Sequence, residues 1–113
     1  MSVLYDKKIF SEVFDSLKVH DEYAEIVEYT VLDKFKLRLD LYISTYDDYA
    51  TVTLMRNNRE GWIFDIGIEH LDKIIYEKNA LSFYKNDNVE KPALTITIKP
   101  EISLWCRVAT PSL

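Results

Sequence analysis

The sequence predicts an α+β domain, with an N-terminal helix packed on a largely antiparallel sheet of about six or seven strands and a second short helix between strands. Three observations carry that prediction. The stretch Phe35 to Ile43 alternates, with Phe35, Leu37, Leu39, Leu41 and Ile43 on one parity and Lys36, Arg38, Asp40 and Tyr42 on the other. A period of two marks a strand with one face on a core and one in or near water. Further alternating runs follow it, separated by short polar turns. Ahead of them, Ile9, Phe10, Val13, Phe14 and Leu17 form an apolar stripe at helical spacing.

That stripe predicts a helix over 5–18, with Asp6 or Ser11 as its cap and Asp6 the better placed. Val19 to Tyr23 reads as a polar connection. Ile26 to Val31 is rich in β-branched and aromatic residues, which favours a strand over a helix. Asp33-Lys34 then turns the chain into the central strand at 35–43. Asp47-Asp48 reads as a hairpin turn, because aspartate tolerates turn backbone and bonds its own neighbours. Tyr49 to Met55 is the next strand, Asn57-Asn58 the next turn, and Trp62 to Ile68 alternates again. Four strands joined in this way make an antiparallel meander.

The pattern then shifts. Leu71, Ile74 and Ile75 stand at i, i+3 and i+4, which predicts the second short helix. Leu81 to Tyr84 is a short strand, and Lys85 to Pro92 a polar loop. Leu94 to Ile98 alternates cleanly. Pro100 interrupts, and Ile102, Leu104, Cys106 and Val108 resume the alternation on an apolar face. Residues 1–108 are read as one domain, and 109–113 as a patternless, disordered tail or cloning remnant.

Composition narrows the chemistry. The 113 residues are 48% apolar and 29% charged, a globular rather than a disordered balance. No run approaches the roughly 20 apolar residues of a membrane helix, and no secretory signal is evident. Cys106 is the lone cysteine, so no internal disulfide can form, which fits the cytosol. Gly61 and Gly67 are the only glycines, too few for a phosphate-cradling loop. No cofactor or metal is expected. The net charge of −5 resides in residues 1–50, which hold 11 acids and 6 bases, while 51–113 hold 8 of each. No basic stripe for nucleic acid is present. The acidity instead suits a basic partner.

Candidate residues follow from those constraints. His20 beside Asp21 and Glu22, or His70 beside Glu69, could serve acid–base chemistry, although fifty positions separate them and no ligand spacing links them. An oxygen-ligand site at Asp40, Asp47 and Asp48 competes with simple turn preference. Cys106 on an apolar strand face is a small hydrophobe more readily than a nucleophile. A richer constellation is Asp40, Tyr42, Tyr46, Asp47, Asp48 and Tyr49, joined by Glu22, Glu25 and Glu28. Tyrosines offer contact area at small entropic cost, and carboxylates steer basic partners. The competing reading puts those tyrosines under the first helix, on a sheet buried on both faces.

In size, acidity and lack of a catalytic signature the chain resembles small bacterial inhibitors such as the immunity proteins, which neutralise basic nuclease toxins. That resemblance implies a binding module with no chemistry of its own, occluding the active site of a basic protein without touching nucleic acid or membrane. The alternatives are a small hydrolase using His20 or His70 with neighbouring carboxylates, and a homo-oligomeric ligand-binding or regulatory domain joined through a strand edge.

Overall fold

The computed structural model describes residues 3–56, 62–99 and 101–106. The chain enters through helix α1 (Lys7–Val13) and lays down strands β1 (Ser16–Asp21), β2 (Ile26–Leu32), β3 (Leu37–Ser44), β4 (Tyr49–Arg56) and β5 (Trp62–Ile68). These form a five-stranded antiparallel meander in chain order. Strands β6 (Leu71–Glu77), β7 (Ala80–Lys85), β8 (Leu94–Thr97) and β9 (Ser103–Cys106) form a second, four-stranded meander. The α+β character and antiparallel pairing stand. The single sheet of six or seven strands is corrected to two sheets.

The helix is shorter than its apolar stripe suggested. Asp6 caps it as expected, its carboxylate accepting from the amides of Lys8 and Ile9. Phe14 ends it: its amide still bonds Phe10, but its own ψ of 148° is extended. Leu17, the last residue of the stripe, therefore lies on a strand and is half exposed. Most of the polar connection expected at 19–23 is the end of that strand and a turn. Phe10, Val13 and Phe14 remain the buried side of the helix. They pack on Tyr29 of β2, whose ring centroid lies 5.3 Å from Phe10 and 5.2 Å from Phe14, with Tyr5 at 6.0 Å. Such ring pairs each add about 0.5–1.5 kcal/mol beyond area burial. Burial in this cluster, then a hydrogen bond with Tyr29, pushes the Tyr5 hydroxyl up.

Register builds the core. Val31, Leu39 and Leu54 lie side by side across β2, β3 and β4, as do Tyr29, Leu41 and Val52, and Val27, Ile43 and Ala50. Leu39, Leu41 and Ile43 are essentially sealed from solvent. The central strand starts two residues later than its alternation implied. Asp33 takes the amides of Phe35 and Leu37 on one carboxylate oxygen, Lys36 has a φ of 63°, and Phe35 is left exposed in the turn.

The predicted second helix is β6. A bulge between Leu71 and Lys73 inserts one residue into the strand. Leu71 and Ile74, three apart, are thereby both buried. One extra residue in a period-two element reproduces the i, i+3 spacing of a helix. The turn into β7 has Lys78 and Asn79 at φ of 53° and 65°, the doubly left-handed backbone of a tight hairpin. Leu71, Ile74, Leu81, Phe83, Leu94, Ile96 and Ile98 join the helix and the first sheet in one buried cluster. The edge of β6 is partly covered by Leu4, which bonds Asp72 and Ile74 through its backbone. The predicted Asn57-Asn58 turn, the bend at Pro100 and the tail at 109–113 lie outside the described residues, as does the apolar face assigned to Leu104, Cys106 and Val108.

Candidate protein-binding face

The five-stranded sheet has a second face, turned away from α1 and the core. Register brings Thr30, Asp40, Thr53 and Asp65 into one cross-strand row, and Glu28, Tyr42, Thr51 and Gly67 into the next. Because α1 packs on Tyr29, on the opposite face, Tyr42 and Tyr49 do not lie beneath the helix. Both are half buried among their own sheet neighbours. The reading with the tyrosines under the helix is therefore set aside.

Each row is organised by hydrogen bonds. Asp40 was expected on the watery side of β3, yet it is only 7% exposed. Its carboxylate accepts the Thr30 hydroxyl at 2.8 Å and the Arg38 guanidinium at 3.0 Å. A carboxylate so engaged is a fixed part of the face rather than a free hand for a partner. Thr53 donates to Asp65 at 2.9 Å. Glu28 meets His20 Nε2 at 2.9 Å, and the His20 ring leans on Tyr42 with centroids 5.6 Å apart. Thr51 donates to the Tyr49 hydroxyl at 2.9 Å. That hydroxyl lies over Gly67, where a Cβ would come within 2.6 Å of it.

The other predicted residues gather at one end of the sheet. In a meander the connections alternate ends, so those joining β1 to β2, β3 to β4 and β5 to β6 share one end. A 3-10 turn, Thr45–Asp47, joins β3 to β4. Thr45 donates its amide to Glu25 O at 3.2 Å, and Leu71 donates to Asp48 O at 2.8 Å, tying the three connections together. This end holds Asp21, Glu22, Glu25, Asp47, Asp48 and Glu69 against Lys7. Among the described residues the far end holds Lys34, Lys36 and Arg56 against Asp15 and Asp33. The first sheet is therefore electrically polarised along its strands, which no count over the linear chain reveals.

Not all of these acids are equally free. Glu25 accepts Lys7 at 3.2 Å. A hydrogen bond from Tyr46, and then that lysine, hold its carboxyl below the usual range, while the same bond to Glu25 raises the Tyr46 hydroxyl. Asp47 accepts the Ser44 hydroxyl at 2.6 Å. Asp48 has a φ of 50° that closes the 3-10 turn, a conformation aspartate tolerates better than most residues. Glu22 stands exposed at the tip of the β1–β2 hairpin, beside the turn that Asp21 fixes by accepting the amides of Tyr23 and Ala24.

Sequence reasoning missed His20, Thr30, Thr51, Thr53 and Asp65 as members of the face. For the threonines and Asp65 the signal is parity with Asp40 and Tyr42 across three strand registers, which no single strand displays, while His20 falls at the irregularity of β1. The two histidines do not share a site. His20 is on β1, at one edge of the five-stranded sheet, and His70 is in the link that leaves β5, at the other edge, for β6. Among the described residues no group of three His, Cys, Asp or Glu side chains is placed to hold a metal ion. Among them, too, no helix is long and apolar enough to cross a membrane. Neither a family model, nor a curated protein, nor a solved structure matches this chain.

Proposed function

We propose that this chain is an acidic protein-binding module of the immunity type, acting in the cytosol to neutralise a basic toxin or nuclease by covering its active site. The observation that carries the reading is the juxtaposition of an acidic sheet end with an aromatic, hydroxyl-rich face on the side away from the core. Tyr42, Tyr46 and Tyr49 offer contact area, Glu22, Glu25 and Glu28 supply negative charge, and Asp40, Asp47 and Asp48 hold the scaffold on which these stand. A nuclease site is basic because it must hold phosphate. A plug for it needs carboxylates and aromatic anchors rather than catalysis.

The structure also selects the variants for a test. Reversing Asp47 and Asp48 would disturb the Ser44 bond and the left-handed residue that closes the turn. Glu22→Lys and Tyr42→Ala alter charge and contact area with less damage to the fold. Affinity purification of the tagged protein from its native host, eluted at low and then high salt, should yield one stoichiometric basic partner that leaves as salt rises. The Glu22→Lys/Tyr42→Ala protein should bind that partner at least about tenfold more weakly, the scale of charge pairs at interfaces. Equal binding by the variant, or no partner at either salt, would remove this reading.

A further inference from the structure

We propose that the free edge of β1 accepts an added strand from a partner protein, and that the strand it fits carries basic residues at both ends and an acidic residue at its middle. This deepens the protein-binding reading, on which it rests for the kind of ligand, but it uses the edge of the sheet rather than its face. β1 is a terminal strand of the five-stranded sheet. All six of its residues are exposed. Leu17 and Val19 point to the core side, in register with Tyr29 and Val27, yet are 50% and 55% exposed. Neither α1 nor a sixth strand covers them among the described residues. A cleft of about 150 Å³ opens beside them, lined by Phe10, Phe14, Leu17 and Tyr29. An added strand would bond the β1 backbone groups that face away from β2, which have no partner among the described residues, and set alternate side chains against Leu17, Val19 and that cleft.

Charge identifies the occupant. Asp15 flanks one end of β1, and Asp21 and Glu22 the other. At the middle stands Lys18, which is opposite Glu28 in register. Glu28 is taken by His20, so Lys18 has no ion pair among the described residues. The edge thus reads acid, base, acid, and its complement reads base, acid, base. A second copy of this chain is a poor complement. In the two-fold registers that keep the apolar sides together, Lys18 falls on Lys18, Val19 on Asp15, or Leu17 on Asp21. Like charges directly opposite each other, or a charge against an apolar neighbour, disfavour such a pair. The same charges that discourage self-association select a partner of opposite pattern.

The test uses the whole protein and a labelled seven-residue peptide, Arg-Thr-Val-Glu-Val-Thr-Arg, which sets Glu on Lys18, Val on Leu17 and Val19, and Arg on Asp15 and Asp21. Its pattern is the same in both directions, so it fits a parallel or an antiparallel addition. We expect saturable binding by fluorescence anisotropy, with slowed hydrogen exchange at the β1 amides that face the free edge. The charge-swapped peptide Glu-Thr-Val-Lys-Val-Thr-Glu should bind at least about tenfold more weakly. Lys18→Glu, a change at an exposed position, should reduce that preference severalfold. Absence of binding at millimolar peptide, equal binding of the two peptides, or protection confined to other strands would overturn the proposal. So would β1 protection that grows with protein concentration alone, because the occupant would then be a second copy. The two readings fail separately: a chain that yields no basic partner from its host but still binds this peptide on β1 loses the inhibitor assignment and keeps the edge.

Discussion

The two faces of β3 solve different problems with the same alternation. On the inner face Leu39, Leu41 and Ile43 are sealed against Val31, Val52 and Ala50. Apart from the Tyr29 hydroxyl, which bonds Tyr5, these rows are apolar, and their contribution is area and close packing. On the outer face Arg38, Asp40 and Tyr42 sit among Thr30, Glu28 and His20, held by directed bonds. Burying a carboxylate and part of a guanidinium is a poor route to stability, since desolvation offsets much of the attraction. The contrast teaches where to look for function. The inner face is what any buried core needs, whereas the outer face maintains a defined polar surface that folding alone does not require.

If that contrast holds, the largest loss comes from the inner face. Leu41→Ala removes a fully buried side chain at the centre of the sheet and is expected to destabilise the protein by about 2–5 kcal/mol, read from the urea midpoint at constant slope. A cost of a few tenths would mean that the core does not close over β3 as described.

The next effect separates the faces by chemistry. Asp40→Ala leaves the Arg38 guanidinium and the Thr30 hydroxyl without their shared acceptor. A loss of about 1–3 kcal/mol is expected, because an orphaned polar group keeps its desolvation cost. Arg38 Nε is already buried without a partner. The paired change Arg38→Met/Asp40→Leu removes both charges and should recover most of that loss. Failure of the pair to recover would show that the outer face is as necessary to folding as the inner one, and the functional argument from it would fall.

The same contrast explains what the sequence made legible. The alternation in β3 was plain because one face is apolar throughout, and β2, β4 and β5 followed from similar runs. β1 was hidden because Leu17 happens to continue the stripe of α1, although Ser16, Leu17, Lys18, Val19 and His20 also alternate. β6 was hidden by its bulge, which places Leu71 and Ile74 at helical spacing. The division into two sheets was not legible at all. It depends on the chain leaving β5 through Glu69 and His70, where His70 takes a φ of 56°, a choice that no glycine announces. On the candidate site, parity correctly grouped Asp40 with Tyr42 but not with Thr30, Thr53 or Asp65. It also gave no warning that Asp40 is buried, because a residue's neighbours across a sheet are fixed by register and not by its own strand.

A smaller effect tests whether the outer face is packed loosely enough to move. Gly67→Ala would bring a Cβ to 2.6 Å from the Tyr49 hydroxyl. On the inner face such crowding costs about 1–3 kcal/mol. Here the obstacle is the tip of a half-exposed ring, which can swing aside and give up its bond with Thr51. The expected cost is below about 1 kcal/mol, with a changed Tyr49 ring environment by NMR. A cost at the core level would mean that Tyr49 is held as firmly as Leu41.

The smallest effect is one of pH. The Tyr46 bond and Lys7 hold the folded Glu25 carboxyl below its ordinary 4.5. Its stabilising contribution is therefore present above 4.5 and is lost as pH falls through the lowered folded value. Tyr46 is raised above its ordinary 10.0 by the same bond, so its share is present below 10.0 and is lost as pH rises through the raised value. The sign follows from linkage: the folded state binds fewer protons than the unfolded at Glu25, and more at Tyr46. Glu25→Gln should therefore lower the melting temperature slightly across the neutral range, and its curve should meet that of the native protein at both acid and alkaline extremes. The difference should also shrink with added salt, because the pair is solvent-exposed. A difference that persisted unchanged to acid pH would show that Glu25 acts through its backbone in the hairpin rather than through its charge. The acidic end of the sheet would then be a property of the turn, with no electrostatic bond among its connections.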